Sequence, residues 1–89
     1  MHGAAQIGGF VPPMNDLQPL PAPPLGRYRH YKGAEYELIG VARHSDTLEP
    51  MALYRPLANP GGLWVRPYGM FFEPVDVNGQ WQPRFARLP

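Results

Sequence analysis

The sequence contains no cysteine. That excludes a disulfide framework and any thiolate metal site, and it fits a chain kept in a reducing cytoplasm. Long hydrophobic runs are also missing, and no stretch approaches the roughly 20 apolar residues that span a bilayer. The N-terminal region has neither Lys or Arg nor a continuous apolar segment, so no secretory leader is expected. No sign of charge dominates. All eight Lys and Arg residues fall between Arg27 and Arg87, and with histidine neutral Asp16 is the only charge before them. From Leu25 onward eight bases stand against six acids, a surplus too small for the clustered basic stripe of a strong nucleic-acid binder.

Proline and glycine, by contrast, are plentiful, at thirteen and ten residues. Many fall in Met1 to Pro24, where Gly8-Gly9, Pro12-Pro13 and Pro23-Pro24 leave no periodic apolar pattern. Prolines remove backbone donors and favour extended, solvated chain, so residues 1–24 are expected to be a disordered tail or linker. A PxxP spacing, Pro21-Ala22-Pro23-Pro24, fits an aromatic groove in outline. It lacks an adjacent basic residue, because Leu25 and Gly26 precede Arg27.

Residues 25–89 then make one small domain. A chain of that length buries only about 60% of its extended surface, and its net stability is expected near 3–5 kcal/mol. With no cross-link, aromatic side chains must supply much of the buried area.

The most telling stretch is Leu63-Trp64-Val65-Arg66-Pro67, entered through the turn residues Asn59-Pro60-Gly61-Gly62. Successive side chains on a strand leave opposite faces, so Leu63 and Val65 share one face, Trp64 and Arg66 the other. The aliphatic face is suited to a core, and the indole with its guanidinium is suited to binding as much as to packing; the alternation does not say which face is inside. Arg27 to Tyr31 alternates too, and Lys32-Gly33 makes a turn. Glu35 to His44 is the longest strand candidate, and its phase slips at Gly40, where a missing side chain allows a bulge or bend. Ser45 to Pro50 reads as a loop, Met51 to Pro56 as a strand, and Tyr68 to Phe72 as a turn or single helical turn. Val75 to Gln82 is a hairpin around Asn78-Gly79, whose two-residue turn sets Asp76 opposite Trp81. A three-residue loop would pair Val75 with Trp81 instead. About five short strands with hardly any helix imply an all-β fold. Closing them hides edge groups, so a small SH3-like barrel is expected.

From Gly26 onward the chain resembles a small bacterial family, domain of unknown function 1653. The resemblance rests on Gly26-Arg27-Tyr28-Arg29-His30-Tyr31-Lys32-Gly33 and on Tyr36-Glu37-Leu38-Ile39-Gly40-Val41-Ala42-Arg43-His44-Ser45. It continues through Thr47-Leu48-Glu49-Pro50, Tyr54-Arg55, Leu63-Trp64-Val65-Arg66-Pro67 and Met70-Phe71. The chain departs from the family at Asp46, where Glu is commoner, and at Trp81-Gln82. The resemblance implies an SH3-like β-fold and carries no assigned activity.

Among groups able to do chemistry, Tyr54, Trp64 and Arg66 fall on related faces if the strands pair as neighbours, with Tyr28 and His30 continuing the patch. Rings beside a guanidinium offer stacking plus a bidentate fork for a nucleobase, phosphate or carboxylate. The packing alternative is that Tyr54 and Trp64 cover the core while Arg66 lies flat on them and pairs with Glu49 or Glu73. In His44-Ser45-Asp46-Thr47-Leu48-Glu49, hydroxyls and carboxylates suit loop capping. Adjacent His44 and Ser45 point apart on an extended chain, and no glycine-rich elbow surrounds the serine, which argues against nucleophilic catalysis. His30, His44 and Glu49 have no diagnostic metal-ligand spacing, and the Asn59-Pro60-Gly61-Gly62 turn lacks the Lys-Ser/Thr ending of a P-loop.

The expected function is therefore a non-catalytic cytoplasmic binding module. It would use Tyr54, Trp64, Arg66, His30, His44 and Glu49 to hold a peptide, nucleic acid or small anion, with no cofactor and no membrane. The alternative is a small His-based enzyme or metal protein centred on His30, His44, Ser45 and Glu49. A further option is a structural subunit, monomeric or weakly dimeric, whose exposed aromatics form a dimer face.

Overall fold

A computed structural model describes residues 17–58 and 61–89. Most of the expected tail (1–16) and the Asn59-Pro60 half of the expected turn therefore lie outside the described residues. The elements run β1 (Gly26–His30), β2 (Glu35–Arg43), β3 (Pro50–Pro56), β4 (Trp64–Pro67), α1 (Tyr68–Phe71), β5 (Pro74–Val77), β6 (Gln80–Pro83) and β7 (Phe85–Arg87). Five strands form one antiparallel sheet in the order β4-β3-β2-β1-β7, and β5 and β6 form a separate hairpin.

The closed SH3-like barrel is not what forms. Among the described residues no ladder joins β4 to β7, so the sheet is open with those two strands as its edges. The physical reason lies in what fills the gap. Arg66 on β4 sits 5.6 Å from the Phe85 ring on β7, so the curled sheet brings its edges together through side chains. The helical turn α1 adds Phe71, stacked 4.0 Å from Phe85 and nearly parallel to it. Aromatic packing thus occupies the place where a backbone ladder would close. The edge strands β4 and β7 have four and three residues.

The strand registers explain where the core sits. Tyr28 lies opposite Tyr36, Leu38 opposite Tyr54, Tyr54 opposite Trp64, and His30 opposite Phe85. Directly opposed residues share a face. That face holds the buried cluster of Tyr28, Leu38, Ala52, Tyr54, Phe71 and Phe85, with Tyr36 and Phe72 packed against it. Tyr54 makes edge contacts with Phe71 at 5.2 Å and Phe85 at 5.6 Å, so aromatics do supply the core.

The same registers show which face of the Leu63-Pro67 stretch is inside. Trp64 and Arg66 stand opposite Tyr54 and Ala52 on the core face. Leu63 and Val65 lie on the back, 61% and 56% exposed. Alternation tells which residues share a face but not which face is inside, and here the aromatic interior claims the indole. Elsewhere the back face carries the ion pairs Arg55–Glu37 (2.6 Å) and Arg29–Glu35 (2.9 Å).

The phase slip in β2 falls where the glycine stands: the register shifts between Leu38 and Gly40, leaving Ile39 without a partner on β3. The β5–β6 hairpin adopts the two-residue turn, with Asp76 opposite Trp81 and Val75 opposite Gln82. Asn78 and Gly79 have φ of 53° and 83°, the left-handed pair that a type I′ turn requires. Before β1, residues 17–25 form no regular element, yet their carbonyls are engaged. Gln18 O accepts from Arg43 (2.7 Å) and Pro24 O from the Tyr28 hydroxyl (2.6 Å).

Candidate functional site

The functional question centres on the core face where it reaches solvent between β4 and β1. Trp64 is 48% exposed there, its ring 6.0 Å from Tyr36 and 6.1 Å from Tyr54. Arg66, half-buried, donates from Nε to the Tyr54 hydroxyl (3.2 Å) and lies over Phe85. No carboxylate pairs with it among the described residues, because Glu73 is taken by Arg84 and Glu49 by its own loop. The packing alternative put this guanidinium on the Tyr54 and Trp64 rings with an acid beside it; it lies instead over Phe85, bonded to the Tyr54 hydroxyl, with no acid paired to it among the described residues. His30 also packs against Phe85, ring to ring at 4.9 Å, and its Nδ1 accepts from the Lys32 backbone N–H (3.1 Å). That bond leaves Nε2 as the position for the ring proton.

Positive charge accumulates around this histidine. Burial holds its pKa below the usual 6.5, and Arg66 from β4, Lys32 from the β1–β2 turn and Arg84 ahead of β7 lower it further. Arg84 itself is tied down, donating to Met70 O (3.0 Å) and to Glu73 (3.2 Å). The face thus combines an exposed indole, a held guanidinium whose terminal nitrogens lack protein acceptors among the described residues, and a largely neutral imidazole. Such a set is suited to a planar anion.

The remaining candidates go elsewhere. His44 is in the β2–β3 loop, where its Nδ1 accepts from the backbone N–H groups of Asp46 and Thr47. Glu49 accepts from the Thr47 hydroxyl within the same loop, and Leu48 there takes a positive φ of 65°. Ser45 is exposed, with no bond to His44. No group of three or more His, Asp or Glu residues able to hold a metal occurs among the described residues. The His-based enzyme or metal reading is overturned on that ground, and the barrel in the binding-module reading falls with the open sheet. What stands is an aromatic and arginine-rich face on a small strand-rich domain.

The family described as Protein of unknown function (DUF1653) matches residues 26–87. The chain belongs to the DUF1653 family. A crystal structure of a DUF1653 protein from Bordetella bronchiseptica is similar at 36% identity, covering 85% of this chain and 92% of that one, with a TM-score of 0.65. No curated protein matches. The likeness noted from Gly26 onward is thereby established, although the SH3-like closure it implied is not. No described helix of this DUF1653 chain is long and apolar enough to cross a membrane.

Three residues of the DUF1653 face escaped sequence reasoning. Tyr36 is the ring beside Trp64, Phe85 is the floor of the face and Arg84 its third nearby cation. For the last two the only signal was Phe85-Ala86-Arg87-Leu88, an alternation too short to stand apart from the preceding prolines.

Trp64→Ala is expected to lower stability by only about 1 kcal/mol, because half of the indole is already in water and truncation opens no closed cavity. Chemical denaturation tests this, and a loss of several kcal/mol would make Trp64 a core residue. His30 should also give the fold a pH dependence. Well above pH 6.5 both folded and unfolded forms are neutral and stability is full. As pH falls, unfolded His30 takes up a proton before the folded one does, so stability declines from pH 6.5 down through the depressed folded pKa. Thermal melts across this window should flatten in His30→Gln, and an unchanged slope would locate the dependence elsewhere.

Proposed function

We propose that this DUF1653 domain binds a small planar anion, an aromatic ring bearing a phosphate or carboxylate, on the face formed by Trp64, Tyr36, Arg66 and His30. The observation that carries the reading is Arg66. A half-buried guanidinium held by Tyr54 through Nε and lying over Phe85, with no acid paired to it among the described residues, offers both terminal nitrogens to a bidentate oxyanion. Trp64 supplies a half-exposed ring for stacking, and His30 supplies an Nε2–H donor. Tyr54 acts by positioning Arg66, since its own ring is buried. His44 and Glu49 have no part in this face. The reaction class is binding without catalysis, and the cysteine-free chain suits a cytoplasmic setting.

The test is a titration of the isotopically labelled full chain with adenosine monophosphate, benzoate and inorganic phosphate, read from amide and indole resonances. Shifts should cluster at Trp64, Arg66, His30 and Phe85, and the ring-bearing anions should outbind phosphate. Shifts confined to the β5–β6 hairpin, or none at all, would overturn the reading.

A further inference from the structure

The β4 edge carries a second, separate piece of information in its backbone. Beyond the end of the β2–β3 ladder, Leu57 N–H donates to Glu35 O. In an antiparallel sheet the bonding direction alternates residue by residue. Along β3, then, Leu53 bonds toward β2, while Ala52 and Tyr54 bond toward β4. Their partners Arg66 and Trp64 are thereby committed to β3. Val65, between them, must point its N–H and C=O away from the sheet, as must Leu63, whereas the carbonyl of Pro67, the N-cap of α1, belongs to that helix's first turn. The missing donor of Pro67 falls where no ladder bond is needed. Leu63, Trp64 and Val65 are 61%, 48% and 56% exposed, so an edge with no ladder partner among the described residues coincides with three consecutive apolar side chains.

We infer that β4 is an interface for a second copy of this chain, paired antiparallel about a two-fold axis through Val65. In that register Val65 exchanges both backbone bonds with the second copy's Val65. The back face sets Val65 against Val65 and Leu63 against Pro67. On the front face Trp64 lies opposite Arg66 of the second copy, a cation–π pair made twice by symmetry. Competing centres are worse. Centring on Arg66 opposes two guanidiniums, and centring on Trp64 leaves Arg66 opposite Gly62. The other edge, β7, offers Ala86 between flanking arginines and would meet its copy with like charge. The association goes beyond the anion reading and holds without it, although it would also give each anion face a second indole wall.

A four-residue edge gives an interface below the roughly 1,200 Å² of stable complexes, so the dimer is weak. Sedimentation equilibrium of the full chain without added anion should show the mass rising from 10.0 kDa toward twice that value. The rise is expected between about 10 µM and 1 mM, the range of a sub-standard interface. Val65→Lys and Val65→Glu should each be monomeric, because the axis opposes residue 65 to itself and like charges face each other. Mixing the two variants should restore association. Circular dichroism confirms that both variants fold, as an exposed position allows. A wild-type chain that stays monomeric at 1 mM, single variants that still associate, or a mixture that does not, each overturns the pairing. The anion reading is decided separately, by ligand-dependent shifts at Trp64, Arg66, His30 and Phe85, whereas the association is measured with no anion present.

Discussion

Replacing Phe85 with alanine is expected to leave much of the domain unfolded at room temperature. Phe85 is 3% exposed and touches more of the fold than any residue near it in sequence. It stacks on Phe71 of α1, meets Tyr36 of β2 and Tyr54 of β3 at 5.6 Å, and meets His30 of β1 at 4.9 Å. Truncating a buried Phe costs about 3–5 kcal/mol, the lost transfer energy plus the cavity left by neighbours that relax only partly. A domain of this size has a net stability of about the same magnitude. One side chain therefore accounts for most of the margin, and with β7 released the β1 edge would lose its ladder. Urea denaturation followed by near-ultraviolet dichroism measures the effect. Trp81→Ala is the matched control, since that ring is 72% exposed and its loss should change stability by less than about 0.5 kcal/mol. A Phe85→Ala loss as small as the control's would mean that the aromatic cluster does not hold the open sheet together.

That dependence on Phe85 also marks where the sequence stopped being informative. Strands with enough alternation announce themselves, and β1 to β4 fall within a residue or two of where the pattern puts them. The hairpin was legible because Asn-Gly answers a specific backbone demand, φ above zero at both central positions. Closure was not legible. It turns on β7, three residues whose pattern is shorter than any period that could be recognised. The decision between an open and a closed sheet was made by aromatic side chains filling the gap, which no local rule records.

The site divides along the same line. That Tyr54, Trp64, Arg66, Tyr28 and His30 share a face follows from neighbouring strands with matched phase, and the registers place them so. Whether that face was core or surface did not follow, because alternation is symmetric with respect to inside and outside. The opposed pair Tyr54–Trp64 resolves it: one ring is buried, and the other spans the rim from core to water. His44 and Glu49 were grouped with the site by residue type alone. Their hydrogen bonds go to the β2–β3 loop that contains them, where a histidine nitrogen does the capping that Asp or Asn commonly does.

The largest effect on binding is expected at Arg66. Hydrogen bonds to a charged partner contribute about 1.5–3 kcal/mol. Arg66→Ala should therefore weaken the anion by roughly ten- to a hundred-fold at tenfold per 1.4 kcal/mol. Arg66→Lys should recover only part of this, because an ammonium has no planar fork and cannot keep one nitrogen on Tyr54 while offering two to the ligand. Tyr54→Phe separates holding from contact: it keeps the ring in the core but removes the oxygen that fixes Nε. A few-fold loss there, with stability nearly unchanged, would be the signature of a positioning residue. The stacking part should behave differently with salt, since Trp64 contributes without charge, whereas the Arg66 contribution is screened as the Debye length shrinks to about 8 Å at physiological ionic strength. Affinity that survives Arg66→Ala intact would mean the anion sits elsewhere, and the acid-free guanidinium would then be explained by its contact with Phe85 alone.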